Sequence, residues 1–335
     1  RDLHSFPTRR SSDLPEMTPS ISRMVAAKRQ ELSMPARLYS IANFMRYERP
    51  QRGREREFWQ LNADLFGIEG PAADAEIIEL SHAAIMKFGA KQDMFKVRVN
   101  NRALVEQLMT HFLGLDVIGS PMMTRLLDRK DKIPPEVFRE QAIEIFGPQA
   151  AEGLPKLAKL INTHSLNELP EQVQNTPAMY DVMQVLELLK QKGITNAEFD
   201  VTLMRGLDYY TGTVFEFFDT SPENNRALFG GGRYDGLVGL FGVEPIATVG
   251  VGMGATTMQN FLEVHGLLPQ LVSRTDVYII AIDHTATAGA DALARSLRKA
   301  GVRAELDITE RKIDKQIKTA SKKQKPVLIG IPNAL

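Results

Sequence analysis

The chain has 335 residues, 43% of them hydrophobic and 24% charged, which excludes wholesale disorder; that length leaves room for about two domains of roughly 100–200 residues. Lys plus Arg and Asp plus Glu each number 41, so no global basic field attracts nucleic acid and any such contact must be local. Cysteine is absent, which removes disulfides, thiol nucleophiles and thiolate metal sites. The histidines show no HxxxH or HExxH spacing, and no apolar run reaches the roughly 18 residues a membrane helix needs. A protein-held metal and a membrane partner are therefore not expected.

Residues 1–14 (RDLHSFPTRRSSDL) are unlike the rest of the chain. They lack the apolar region of a secretory signal. They read either as an Arg- and Ser-bearing transit peptide or, the reading preferred here, as a sequencing adapter translated in frame, with no native structural role expected. From Leu38 to Met45 the pattern reads as a strand, and Phe58–Phe66 alternates with period two. Leu61, Ala63 and Leu65 take one face, while Gln60, Asn62 and Asp64 take the other. Buried polar groups without partners cost about 1–3 kcal/mol each, so the polar row predicts a bound polar ligand. Between the two strands, Arg46–Glu57 carries five Arg and three Glu around Pro50 and Gly53, a charged loop above that floor.

A short strand at Phe95–Val99 precedes a helix over Arg102–Leu115, with Leu104, Leu108, Phe112 and Leu115 on one face. Pro134–Pro135 opens another helix. Thr176–Pro177 starts a third, with Thr176 as N-cap, a stripe of Met179, Val182, Met183 and Leu186, and Gly193 as its stop. An inserted helical subdomain is expected within about 100–195. Strands return at Phe199–Leu203, Val214–Phe218, Gly230–Gly232 and Ala247–Met253. After Pro269 the order becomes βαβαβ: Asp276–Ile282, Ala286–Lys299, Val302–Leu306, Arg311–Lys323 and Val327–Ile331, a small α/β domain with parallel strands over 275–335. Its second helix region holds Arg311, Lys312, Lys315, Lys318, Lys322, Lys323 and Lys325 against Asp314, either a solvated face or a local phosphate-facing surface.

Gly250–Ala255 (GVGMGA) fits G-x-G-x-x-A, but the dinucleotide fingerprint opens a βαβ unit, and here the glycines close an antiparallel region. Alternating glycines instead clear one strand face for close approach of a flat ligand.

Taken together these segments make the sequence resemble the histidyl-tRNA synthetase family of class II aminoacyl-tRNA synthetases, from about residue 15 to the end. Pro15-Glu16-Met17-Thr18 is similar to the family's amino-acid-contacting segment, and Arg46–Pro50 (RYERP) with Phe58–Phe66 to its motif 2. Arg205–Gly212 (RGLDYYTG) is similar to its histidine-binding signature, and Gly230–Leu237 (GGGRYDGL) also fits. The resemblance implies an α+β fold: a class II antiparallel catalytic core over 15–268 with a helical insertion, then an α/β anticodon-binding domain. It implies ATP-dependent activation of L-histidine and transfer to tRNA(His), with ATP taken as its Mg2+ complex, no organic prosthetic group, a homodimer and a cytoplasmic location. A regulatory-subunit paralogue of ATP phosphoribosyltransferase, binding histidine without catalysis, is the alternative reading.

The site residues follow from the same resemblance. Arg46 and Arg205 are expected to be catalytic, stabilising charge that builds up at the α-phosphate through bidentate bonds. Glu16, Thr18, Gln60, Asp64, Tyr209 and Tyr210, with the two arginines, are expected to hold histidine. Arg46, Glu48, Arg54, Phe58, Gly252 and Gly254 are expected at ATP, and Arg49, Gln51 and Arg52 at the tRNA acceptor end. Two positions depart from the family pattern. Thr257 stands where motif 3 carries Arg, and a hydroxyl cannot supply a guanidinium's charge; Asp64 stands where Glu is usual. Motif 1 is expected to be missing ahead of Pro15, and the C-terminal domain to be cut short.

Overall fold

The computed structural model describes residues 14–47, 53–130, 133–204, 209–224, 226–269, 274–309, 311–322 and 328–331. The chain divides into two compact units, one reaching to Leu268 and the other starting at Pro269.

The first unit is built on a seven-stranded sheet. Its strands are β1 (Ala36–Met45), β2 (Glu57–Phe66), β3 (Phe95–Asn101), β4 (Ala197–Phe199), β5 (Thr213–Asp219), β6 (Ala227–Arg233) and β7 (Thr248–Gly254), in the order β1-β2-β7-β6-β5-β3-β4. Every neighbouring pair is antiparallel except β3 and β4. The expected strand at Phe199–Leu203 is shorter and earlier than the pattern suggested: β4 ends at Phe199, and the Asp200 side chain turns the chain by accepting from the Thr202 N–H and hydroxyl at 2.8 and 2.7 Å.

The helices of this unit are α1 (Thr18–Lys28), α2 (Pro71–Lys87), α3 (Arg102–Gln107), α4 (Gly119–Asp128), α5 (Pro135–Phe146), α6 (Ala150–Ile161), α7 (Pro177–Gln191) and α8 (Ala255–Val264). Ala63 and Leu65 of β2, Phe215 and Phe217 of β5, and Val249, Val251 and Met253 of β7 share one core with Ile78 and Ile85 of α2, Val182 and Val185 of α7, and Phe261 of α8. Leu126, Phe146, Leu157 and Leu160 of α4–α6 belong to the same cluster, so the helical stretch between β3 and β4 is packed as part of this core.

Local chemistry explains the helix boundaries. Asn101 caps α3 by accepting from the Ala103 N–H at 2.9 Å, and Thr176 caps α7 by accepting from Met179 at 3.4 Å. Gly193 then leaves the helix at φ +77, a conformation that favours glycine. The helix expected over Arg102–Leu115 is regular only through Gln107; a wider π turn, Leu108–Phe112, follows. The buried stripe of α7 also differs from expectation. Met179 and Val182 are inside, but Val185 and Leu189 complete the row, and Met183 is 41% exposed. The helix is apolar over more than half its circumference, so periodicity alone did not choose the face.

The second unit holds β8 (Val277–Ala281), α9 (Thr287–Lys299), β9 (Ala304–Asp307), α10 (Ile313–Lys322) and β10 (Leu328–Ile331). Its strands run parallel in the order β10-β8-β9, as the βαβαβ pattern requires. Ala290 and Ala294 of α9 cluster with Val277 and Ile279 of β8, while Ala320 of α10 packs against Tyr278 and Ile280. The period-two alternation of β8 thus gives each helix its own face.

Candidate active site

Strand pairing turns the polar row of β2 into the floor of a cavity. Gln60, Asn62 and Asp64 lie opposite Gly254, Gly252 and Gly250 of β7. Gly252 is opposite Gly230 of β6, which is opposite Glu216 of β5, so one transverse row reads Asn62, Gly252, Gly230, Glu216. The glycines are sterically required. A Cβ on Gly250 would lie 2.2 Å from Asp64 Oδ1, and one on Gly252 would lie 2.7 Å from Gln60 Nε2. The alternating glycines therefore clear the face first for the side chains of β2 and only then for a ligand.

Above this floor is a cavity of about 750 Å³ lined by Glu16, Thr18, Arg46, Arg54, Phe58, Gln60, Asn62, Tyr209, Tyr210, Glu216, Tyr234, Gly252, Gly254 and Thr257, among others. Glu16 and Thr18 come from the segment entering α1; the Tyr209 hydroxyl donates to the Glu16 carboxylate. Tyr209 meets Tyr210 with ring centroids 5.1 Å apart and Tyr234 edge-on at 5.6 Å, which makes an aromatic corner at one end. The Tyr234 hydroxyl donates to Asp64, on the same face of β2 as Gln60 and Asn62. Burial pushes the Asp64 carboxyl up to about 7, with the Tyr234 hydrogen bond opposing and the Glu16 charge adding to the rise. Burial likewise raises both Tyr209 and Tyr234 above the ordinary phenol range, so both remain O–H donors at neutral pH.

Arg46 donates from Nε to the Pro15 carbonyl at 2.7 Å, and its guanidinium lies 4.9 Å from the Phe58 ring centroid. These contacts hold the guanidinium in place while its terminal nitrogens keep the geometry for gripping an anion. Thr257, the position where the family pattern has Arg, donates its hydroxyl to the Leu228 carbonyl at 2.5 Å with the Gly254 carbonyl 3.1 Å away, so it ties the β7–α8 turn to β6. Among the described residues, the carboxylates lining the cavity are Glu16, Glu55 and Glu216.

Behind the aromatic corner, Arg233 is 6% exposed and fully engaged. It donates to Asp74 Oδ1 from Nε (2.9 Å) and Nη2 (2.6 Å), to Asp235 at 3.0 Å, and to the carbonyls of Ile68 and Gly70 at 3.2 and 2.9 Å. This arginine ties the end of β6 to the start of α2.

Of the residues expected from sequence, Glu16, Thr18, Arg46, Arg54, Phe58, Gln60, Tyr209, Tyr210, Gly252 and Gly254 line this one cavity. Asp64 is not one of the lining residues but is bonded to Tyr234, which is. Arg205, Glu48, Arg49, Gln51 and Arg52 lie outside the described residues. Sequence reasoning missed Tyr234 and Glu216 as cavity residues, and it placed Asn62 on the ligand-facing row without assigning it a role. Asn62 was visible in the polar row, and Tyr234 follows directly on the glycine-rich strand and its Arg233; Glu216 had no signal beyond the alternation of β5.

An antiparallel sheet with a charged hairpin beside a glycine-floored cavity, followed by a parallel α/β unit, is the architecture of a class II aminoacyl-tRNA synthetase. Residues 14–258 match the family model described as histidyl-tRNA synthetase, and residues 276–331 match an anticodon binding domain. The chain is 39% identical over 312 residues to a histidine–tRNA ligase of Leptospira biflexa, covering 92% of this chain and 71% of that protein. It is 35% identical over 324 residues to one of Halobacterium salinarum, covering 95% and 74%. Among solved structures, histidyl-tRNA synthetase from Nostoc sp. PCC 7120 superposes with a TM-score of 0.75 at 21% identity, over 95% of this chain and 75% of that one. An ATP phosphoribosyltransferase regulatory subunit/histidyl-tRNA synthetase from Bacillus halodurans superposes at 0.71 with 24% identity, over 96% and 80%; both likenesses speak for the fold. The chain belongs to the histidyl-tRNA synthetase family.

Proposed function

We propose that the cavity carries out the histidine–tRNA ligase reaction. One carboxylate oxygen of L-histidine attacks the α-phosphorus of ATP, the bond to the β-phosphate oxygen breaks, and pyrophosphate leaves. A ribose hydroxyl at the tRNA 3′ end then attacks the histidyl carbonyl and releases AMP. The observation that carries this reading is the convergence of Arg46, Gln60 and the Tyr209–Tyr210 pair on a single cavity from three separate parts of the chain.

In this reading the aromatic corner, with Glu16 and the Asp64–Tyr234 pair, receives the imidazole and ammonium of histidine. The phenols donate, the carboxylates accept, and a site built on such bonds rejects amino acids that lack them. Arg46 receives the α-phosphate and is worth most in the transition state, where charge at phosphorus peaks. Arg54 and the backbone around Gly252 and Gly254 take the rest of the nucleotide, which arrives with Mg2+. Arg205 is assigned beside Arg46, and Glu48, Arg49, Gln51 and Arg52 to ATP and the acceptor end, by family resemblance. The exposed Lys312, Lys315, Lys318 and Lys322 of α10 and its approach are assigned to tRNA phosphates. A second copy of the chain would cover the exposed Tyr39, Ile41 and Trp59 of β1 and β2. Among the described residues, no helix is long and apolar enough to cross a membrane.

Histidine-dependent exchange of pyrophosphate into ATP is the test. Arg46→Ala is expected to lower the exchange rate by about 10²–10³. Histidine binding without exchange in the folded parent protein would overturn the ligase reading and favour a histidine-binding paralogue.

A further inference from the structure

Tyr209 and Tyr210 line the cavity described above, but Thr211, Gly212 and Thr213, which follow them, line a second one of about 480 Å³. No described residue lines both. The second cavity is walled by the entry to α2, by α3, by the start of α7 and by the end of β6. It is acidic: the carboxylates Glu69, Asp74, Asp181 and Asp235 stand against one cation, Arg233.

That cation is already spent, because Arg233 donates to Asp74 and to Asp235. Glu69 and Asp181 make no hydrogen bond or ion pair with a described residue. Glu69 is exposed, where water serves it, but Asp181 is half-buried. Asp181 also lies beyond the first turn of α7, so the partial charge of that helix terminus does not account for it. Burial raises its carboxyl above the ordinary range, and the more distant charge of Arg233 only opposes this. Thr213 adds a neutral group in the same condition. It is 1% exposed, and its hydroxyl, near enough to Asp74 to lower that carboxyl, completes no hydrogen bond. Leaving such groups without partners is costly, and a bound donor would supply them.

The distribution of charge says what kind of donor. Among the described residues, no three acidic or histidine side chains converge closely enough to hold a metal ion. The carboxylates are spread over separate elements, which suits a cation whose charge is spread along a chain. We infer that the second cavity binds a linear di- or polyamine, with Asp181 and Thr213 as its inner acceptors and Glu69 at its exposed end. The inference stands apart from the ligase reading, since this lining holds none of the residues assigned above to histidine, ATP or tRNA.

Calorimetric titration of the chain, free of tRNA, with putrescine, butylamine and Mg2+ tests it. Putrescine is expected to bind saturably. Butylamine, with the same carbon chain and one charge, should bind about 10-fold or more weakly, and Mg2+ at matched ionic strength should not displace putrescine. Asp181→Asn keeps the shape and removes the charge, and should weaken putrescine about 10-fold or more while L-histidine binding is unchanged. Thr213→Val, which removes only the hydroxyl, should weaken putrescine about 2- to 10-fold. Should either variant fail to melt cooperatively, Glu69→Gln, at an exposed position, takes the reading with an expected loss of about 2- to 5-fold. No saturable putrescine binding, equal affinity for butylamine, displacement by Mg2+, or undiminished putrescine affinity in the variants would each overturn the inference.

Discussion

At the scale of single residues, Asp64 shows how burial sets chemistry. Its carboxyl is 4% exposed and titrates near 7 in the folded chain, against an ordinary value of 3.8. The folded state then holds this proton more tightly than the unfolded state does. Its stabilising contribution is fully present below about pH 4 and is lost as the pH rises to about 7, with a span on the order of 4 kcal/mol. Asp64→Asn keeps an acceptor for the Tyr234 hydroxyl and removes the titration. The melting temperature of the variant minus that of the parent should therefore increase from about pH 4 to about pH 7 and then level off. A flat difference would show that Asp64 ionises without penalty. Arg233 illustrates the opposite case, a buried charge with every bond made. Arg233→Met would leave Asp74 buried without its partner, and thermal or urea unfolding should report a loss of about 3–5 kcal/mol.

Among the elements, the sheet was the most readable in advance and the helices the least. The β2 alternation placed Gln60 and Asp64 on one face before any coordinates, and β7 placed its glycines on one face, because a period of two leaves no choice once one side is buried. What the pattern could not say is which strands are neighbours. The pairing of β2 with β7 and of β7 with β6, across long stretches of chain, is what sets Gln60 over Gly252 and Tyr234 beside Asp64. That is why Tyr234 and Glu216 were missed. The α7 face was misjudged for a different reason: Met183 is as apolar as Val185, and only the packing partners decide between them. The glycines of this sheet give a test at the same scale. On Gly231 a Cβ would stand 2.0 Å from the Gly250 carbonyl oxygen and 2.7 Å from the Phe215 ring, both immovable in a paired, buried strand. On Gly252 the nearest obstacle is the end of the Gln60 side chain. Gly231→Ala is thus expected to cost about 1–3 kcal/mol or more of stability by forcing β6 and β7 apart, measured by denaturant unfolding. Gly252→Ala should unfold near the parent's midpoint yet bind histidine poorly, since Gln60 must move. Equal stability losses in the two variants would argue against this difference in surroundings.

For the whole molecule, the division into two units predicts that two parts of the reaction can be damaged separately. Amino-acid activation needs histidine and ATP alone, and the residues assigned to both lie in the unit ending at Leu268. The described cationic side chains of α10 and its approach, Arg311, Lys312, Lys315, Lys318 and Lys322, are exposed, and the buried side of that helix is formed by Gln316 and Ala320. A net charge of zero for the whole chain hides this local excess, so phosphate contacts made here should dominate any salt dependence of RNA binding. Each phosphate neutralised contributes a slope of about 0.7–0.9 in log affinity against log salt. Lys315→Ala with Lys318→Ala should therefore weaken tRNA binding and flatten that slope by about 1.4–1.8, while histidine-dependent exchange stays at the parent's rate. Binding measured across a salt series, set beside exchange on the same preparation, decides the matter. An unchanged slope would return α10 to a merely solvated face, and a drop in exchange would show that activation depends on the second unit after all.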